Sequence, residues 1–199
     1  MTENTYHHGD LKNALIKAGV EILTKEGIGS LSLRKVALRA GVSHSAPYAH
    51  FSDKQSLIAA ISTEGFRQLY AELVAVVSLH AADPRRQLVE GAQAYTRFAL
   101  DNPDIFKIMF SSALEKEKEY PAFVEISQKT FARVLDVVRA CQVAGVLKPG
   151  APDVLAVSIW GQVHGIVSLA LEGQISHTVL ERYSLLEIVA LAVEQQIFA

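Results

Sequence analysis

Apolar residues recur three and four positions apart along nearly the whole chain, and no run of four to eight alternates cleanly enough to argue a half-buried strand. A chain with that single period buries its apolar surface helix against helix, so the expected fold is all-α. Caps and breakers then divide it. Leu11, Leu15, Ile16, Ala18, Gly19, Ile22 and Leu23 mark a first helix over about 10–26, stopped by Gly27 and Gly29. Ser32 as N-cap and Gly41 as stop bound a short helix over 33–40. Ser43 opens another over about 44–50, with Pro47 in its first turn or so, and Ser52 with Gln55 fits a capping box for a long helix over about 54–80. Asp83 before Pro84 and Asn102 before Pro103 repeat one N-cap signature, with Pro121 and the Pro152-Asp153 pair acting similarly. They predict helices near 84–101, 103–113, 121–145, 153–172 and 179–198.

Composition narrows the class. The 199 residues are half apolar and 20% charged, long enough to build a core without disulfides or a structural metal. The single Cys141 forms no intrachain bridge, and Met1 leads into polar residues rather than a charged-then-apolar leader, so a cytoplasmic protein is expected. Net charge is −2. Residues 1–54 carry seven Lys or Arg against five acids and residues 55–199 carry 12 against 16, so any basic surface is local.

Several chemistries find no support. Residues 154–171 carry no formal charge over 18 residues, the length of a membrane span, but Ser158, Gln162, His164 and Ser168 interrupt them and no Lys or Arg cluster flanks them. A helix buried among others is the expectation, with no membrane partner. The chain has no Gly-x-Ser-x-Gly elbow, no His-Glu-x-x-His and no phosphate loop, so an enzyme is not expected. No ligand spacing accompanies His7 and His8, so neither metal nor cofactor is expected.

The informative unit is residues 31–54, LSLRKVALRAGVSHSAPYAHFSDK. Two short helices separated by a Gly-Val-Ser turn too tight for antiparallel packing form the unit whose second helix can lie in a DNA major groove. Val36, Ala37, Ala40 and Val42 supply the surface that holds the pair. The second helix offers His44, Ser45, Ala46, Tyr48, Ala49 and His50: small residues, hydroxyls and imidazoles, with no acid among them. Arg34 and Lys54, each near a helix start, are placed to meet phosphate, and His44, Ser45 and Ala46 lie nearest base edges.

This segment resembles the DNA-binding head of the TetR family of transcriptional repressors. The resemblance runs over residues 10–60 and includes the first helix ending at Gly27, Gly41-Val42-Ser43, and then Tyr48, His50, Phe51, Lys54 and Leu57 in order. It implies that Arg34, His44, Ser45, Ala46, Tyr48, Ala49, His50 and Lys54 face DNA, with Tyr48 and His50 mostly on phosphate. Ala49 is small where the family often has a large or basic side chain. Downstream, Trp160 and His164-Gly165 resemble the Trp, His-Gly signature of one TetR C-terminal subclass, and Tyr6-His7-His8-Gly9-Asp10-Leu11 resembles that subclass's N-terminal arm. His7 and His8 fit a disordered tail as well as an arm.

The resemblance implies a head over residues 1–53, arm included, and a ligand-binding and dimerisation domain over 54–199. Tyr95, Phe98, Phe106, Met109, Phe110, Gln128 and Phe131 are either core or the surround of an effector pocket, and Trp160 and His164, one turn apart, have the same two roles open to them. Gly161 and Gly165 let another helix come close, and Leu185, Ile188, Val189 and Ala192 lie on a last helix more apolar than a solvated one needs. Helices 153–172 and 179–198 are therefore expected to pair with their copies in a two-fold four-helix interface. The expected function is a homodimeric, ligand-responsive repressor on a palindromic double-stranded operator, with an unidentified small-molecule effector. The competing class is a ligand-carrying or interaction protein that keeps the head as scaffold.

Overall fold

The computed structural model describes residues 8–114 and 117–197. Among them it contains nine α-helices and no strand. The arm residues Tyr6 and His7, and the first part of the charged stretch Glu115–Glu119, lie outside the described residues.

The chain forms two compact units. The first comprises residues 8–65 and 104–125. Helix α1 spans His8–Glu26, α2 spans Leu33–Ala40, and α3 begins the long run Lys54–Leu79. Leu15, Ile22, Val36, Phe51, Leu57, Ile58 and Ile61 form one closed apolar cluster, each worth about 1.5–3 kcal/mol of burial. Helix α5, Pro103–Met109, adds Ile108 to the same cluster. Gly65 on α3 admits α5 closely: a Cβ there would stand 2.5 Å from Met109 Sδ and 2.7 Å from Ile105 Cγ2.

The caps of α2 are those expected: the Lys35 N–H donates to Ser32 Oγ, and Gly41 closes the helix at φ 70°, where L side chains are strained. Three local expectations are corrected. The helix predicted over 44–50 is a 3-10 turn over Ala46–Ala49, because Pro47 removes an N–H and so short a segment gains little from propagating an α-helix. Its N–H groups reach back three residues, from Ala46 to Ser43 and from Tyr48 to Ser45. The cap of α3 is not Ser52 with Gln55 but Asp53 with Ser56, whose N–H donates to Asp53 Oδ1 at 2.7 Å; the Gln55 amide instead donates to the Ala113 carbonyl. Helix α5 stops at Met109 rather than near residue 113, where the Ser111 hydroxyl takes up the Ile108 carbonyl.

The second unit comprises residues 66–103 and 126–197. It contains the rest of α3, α4 (Pro84–Asp101), most of α6 (Pro121–Val143), α7 (Pro152–Leu171), α8 (His177–Leu180) and α9 (Leu185–Glu194). Helix α4 packs on α9 and α7, which also pack on each other. Asp83 caps α4 by accepting from the Arg86 N–H at 3.0 Å. Asn102 turns backward instead of capping α5: its amide donates to the Phe98 carbonyl that ends α4. The helix expected over 179–198 is broken, because Ser184 and Glu187 form a capping box that starts α9 afresh at Leu185.

Candidate nucleic-acid interface and body cavity

In the first unit, the tight turn after α2 presents an outward face. Buried Pro47 anchors it, while His44, Ser45, Ala49 and Tyr48 (61% exposed) point to solvent and Ala46 is half-buried. Ser43 and Ser45 hydroxyls lie 3.1 Å apart, which orders the start of the turn. His50 is half-buried with its Nε2 enclosed and unpartnered, so its ring offers an external phosphate at most Nδ1.

The cations around this turn are unequal. Arg34 is exposed in the first turn of α2. Lys35 and Arg39 both pair with Glu26, Arg39 at 3.0 Å, and the Lys35 hydrogen bond above all holds the Glu26 carboxyl below its usual range. Lys54 spends one of its three ammonium donors on the Ile28 carbonyl at 2.9 Å, which tethers the start of α3 to the Ile28–Ser30 turn. What faces outward is therefore mainly hydroxyl, phenol and imidazole, with Arg and Lys at its margins. That suits groove contact more than bulk polyanion attraction.

The second unit contains a partly open cavity of about 60 Å³ between α3, α4, α6 and α7. Leu73, Val77, Leu88, Val137, Ile159 and Val163 make its walls, joined by Gly91, Ala92, Val134, Gln87, Tyr95, Arg133 and Trp160. Gln87 is committed elsewhere, donating to the Val77 and His80 carbonyls. Tyr95 is the hinge of a relay: Trp160 Nε1 donates to its hydroxyl at 3.3 Å, and the hydroxyl donates to His164 Nδ1 at 2.7 Å. That assignment leaves the His164 proton on Nε2. Burial holds the Tyr95 phenol well above its usual range and pushes the His164 imidazole down, so both sit neutral. Phe131 packs edge-on to Trp160, 6.0 Å between ring centres.

On the outer side of α7, Val154 (66% exposed), Val157, Gly161 and Leu169 recur at helical spacing, and Leu191 of α9 is exposed as well. A Cβ at Gly161 or Gly165 would meet nothing within 4 Å. Helix α7 is long and apolar enough to cross a membrane by length and composition, yet it packs on α4 and α9 along its other face.

Residues 88–193 match the tetracyclin repressor-like C-terminal domain, and residues 15–61 match the bacterial regulatory proteins of the tetR family. The chain belongs to the TetR family. It is accordingly a DNA-binding transcriptional regulator with a helix-turn-helix head, and not an enzyme. Among solved structures, it is 31% identical to a protein with unknown function from Rhodococcus sp. RHA1, with a TM-score of 0.80 over 97% of this chain and 96% of that one. A bacterial regulatory protein in the tetR family from Rhodococcus RHA1 shares 21% identity and a TM-score of 0.70 over 93% of each chain. The fatty acid degradation regulator FadR from Bacillus halodurans shares the fold at 14% identity and a TM-score of 0.74, over 96% of this chain and 95% of that one. No curated protein matches the chain.

The TetR body brings together only some of the residues singled out in the sequence for an effector. Tyr95 and Trp160 line the cavity, with His164 and Phe131 directly behind them. Phe98 is fully buried in the body core away from the cavity wall, and Gln128 is exposed on α6. Phe106 and Met109 are buried in the first unit beside Phe110, whose ring centre is 5.0 Å from that of Phe106. Of the residues expected at a subunit interface, Gly161 is open and Ile188, Ala192 and Gly165 are half-buried, whereas Leu185 and Val189 are spent inside their own unit. Sequence reasoning missed Gln87 and Arg133 in the cavity wall. Arg133 was legible by period, since Thr130, Val134, Val137 and Cys141 put position 133 on the inward face of α6.

Proposed function

We propose that this TetR-family chain is a cytoplasmic, ligand-responsive repressor that binds a palindromic operator as a homodimer, with residues 1–53 reading DNA and residues 54–199 serving effector and dimer. The observation that carries the reading is the outward side of the turn after α2, where His44, Ser45, Tyr48 and Ala49 stand exposed on a buried Pro47. Arg34, Lys54 and the outer nitrogen of His50 hold phosphates while His44, Ser45 and Ala46 approach base edges. The exposed apolar side of α7 with Leu191 of α9 pairs with a second copy, and Gly161 lets the two α7 helices close. Two such heads enter successive major grooves about 34 Å apart, which makes the operator palindromic. An effector in the body cavity changes operator affinity through a coupling of about 1–3 kcal/mol, a factor of roughly 5–150.

Selection of bound sequences from random DNA tests the reading directly. A palindrome with half-sites one helical turn apart, or a multiple of it, is expected; recovery of no sequence preference contradicts it. Lys54→Ala should weaken binding to all sequences and lower the salt slope by about one unit, whereas His44→Ala should alter base preference. Sedimentation of Val157→Glu should give monomers where the native chain gives dimers.

A further inference from the structure

The cavity wall contains one charged residue, Arg133, and the protein leaves part of it unanswered. Its Nε is enclosed and has no hydrogen-bond partner. The carboxylate beside it, Asp136, is 53% exposed, stands 3.7 Å from Nη1, beyond hydrogen-bond length, and is shared with Arg139 at 3.9 Å. The other polar groups of the wall are engaged, Gln87 with two backbone carbonyls and the Tyr95 hydroxyl with Trp160 and His164. The Arg133 side chain is 30% exposed at its Nη end, so it is the Nε edge alone that faces the apolar wall without a partner, and an enclosed donor left so is costly unless an acceptor meets it.

We propose that the cavity takes a small monocarboxylate, its apolar body against Leu88, Val137, Ile159 and Val163 and its carboxylate gripped by Arg133. The planar fork of arginine matches a carboxylate, and one negative charge balances the one positive charge present. A dianion would leave a charge uncompensated among aliphatic walls, and a cation would be repelled. At about 60 Å³ the space is smaller than the ~150 Å³ void that admits benzene, so the body is compact or side chains must part to admit it. This rests on the cavity being the effector site.

The test is calorimetric titration of the full chain with butyrate, hexanoate and benzoate beside butyramide, hexanamide and benzamide. At least one acid should bind about tenfold or more tightly than its own amide, as charge-assisted hydrogen bonding to the enclosed Nε of a guanidinium implies. Arg133→Gln should erase that difference while keeping the native circular dichroism, and Arg133→Lys should keep part of it. If Arg133→Gln does not fold, the acid-to-amide ratio of the native chain and the Lys variant still decide. Amides binding as tightly as acids, an undiminished preference in Arg133→Gln, or no binding by any of the three acids would each overturn the proposal. Gly91→Leu separates the two levels, because its new side chain enters open space in the cavity wall. If acids and amides alike still bind and still release operator in Gly91→Leu, the cavity itself is not the effector site. If amides release operator from the native chain and Gly91→Leu stops them, the cavity stands and only the role of Arg133 falls.

Discussion

The head and the body bury the same kinds of side chain but leave opposite kinds outside. Around the turn after α2, the head exposes hydroxyls, a phenol and an imidazole over a closed core of Leu, Ile, Val and Phe. Along α7, the body exposes Val154, Val157 and Leu169, and its interior keeps a void and a partly unanswered arginine. The head is finished inside and has a polar surface to spend on a polar partner. The body is unfinished on both counts, so its outer face and its interior each have room for something further.

If that contrast is real, damage to the closed core should be costly and local. Phe51→Ala, at a 2% exposed site, is expected to cost about 3–5 kcal/mol. Because the chain has one tryptophan, Trp160, in the body, the helical signal should fall at lower temperature than the Trp160 fluorescence transition. Coincident shifts of both signals would erase the distinction between the units.

Next in size is the body's relay. Tyr95→Phe removes the hydroxyl that the half-buried His164 Nδ1 and Trp160 N–H share and should cost about 1 kcal/mol in chemical denaturation. The relay also has a pH signature. Burial lowers the His164 pKa from its ordinary 6.5, so below that value the unfolded chain takes up a proton more readily than the folded one. Stability is thus full above about pH 6.5 and drains away as the pH falls, and His164→Phe should flatten that slope. A native melting temperature unchanged between pH 7.5 and about 5.5 would argue that the relay is absent.

Smaller effects sharpen each side in turn. Ser32→Ala removes the cap of α2 and should cost about 1 kcal/mol, together with some operator affinity, since α2 sets the turn. In the body, Arg86→Gln breaks an exposed i,i+4 pair with Glu90 and should leave the denaturation midpoint nearly unchanged. A larger loss there would mean that the Glu90 carboxylate, also held by His80 at 2.6 Å, anchors the start of α4 more than exposure suggests.

Most of the fold was legible because it is written locally. Ser32 and Gly41 bracket α2, and Asp83 before Pro84 starts α4, by hydrogen bonds that span three or four residues. Errors arose where two local signals competed. Ser52 with Gln55 and Asp53 with Ser56 both spell a cap, and the carboxylate wins. The Ser184-Leu-Leu-Glu187 box competes with Val179 and Leu186, which are seven positions apart and so fall on one face of a continuous helix. The exposed residues of the head turn follow from its brevity and its proline. The cavity was harder, because aromatic spacing along α4 and α5 does not say which unit a ring will join: Tyr95 lies in the body and Phe106 in the head, eleven positions later. Asn102-Pro103 marks the break locally, but which core each helix then joins is a long-range outcome no short window contains.

One cramped spot deserves to be followed forward in time. With Met109 sulfur and an Ile105 methyl crowding the place where any Cβ would have to stand, a side chain at position 65 must displace its neighbours. Met109 can swing its flexible thioether aside, but Cγ2 is fixed to the Ile105 Cβ, so a descendant of this chain is expected to give up that glycine only after position 105 has shrunk.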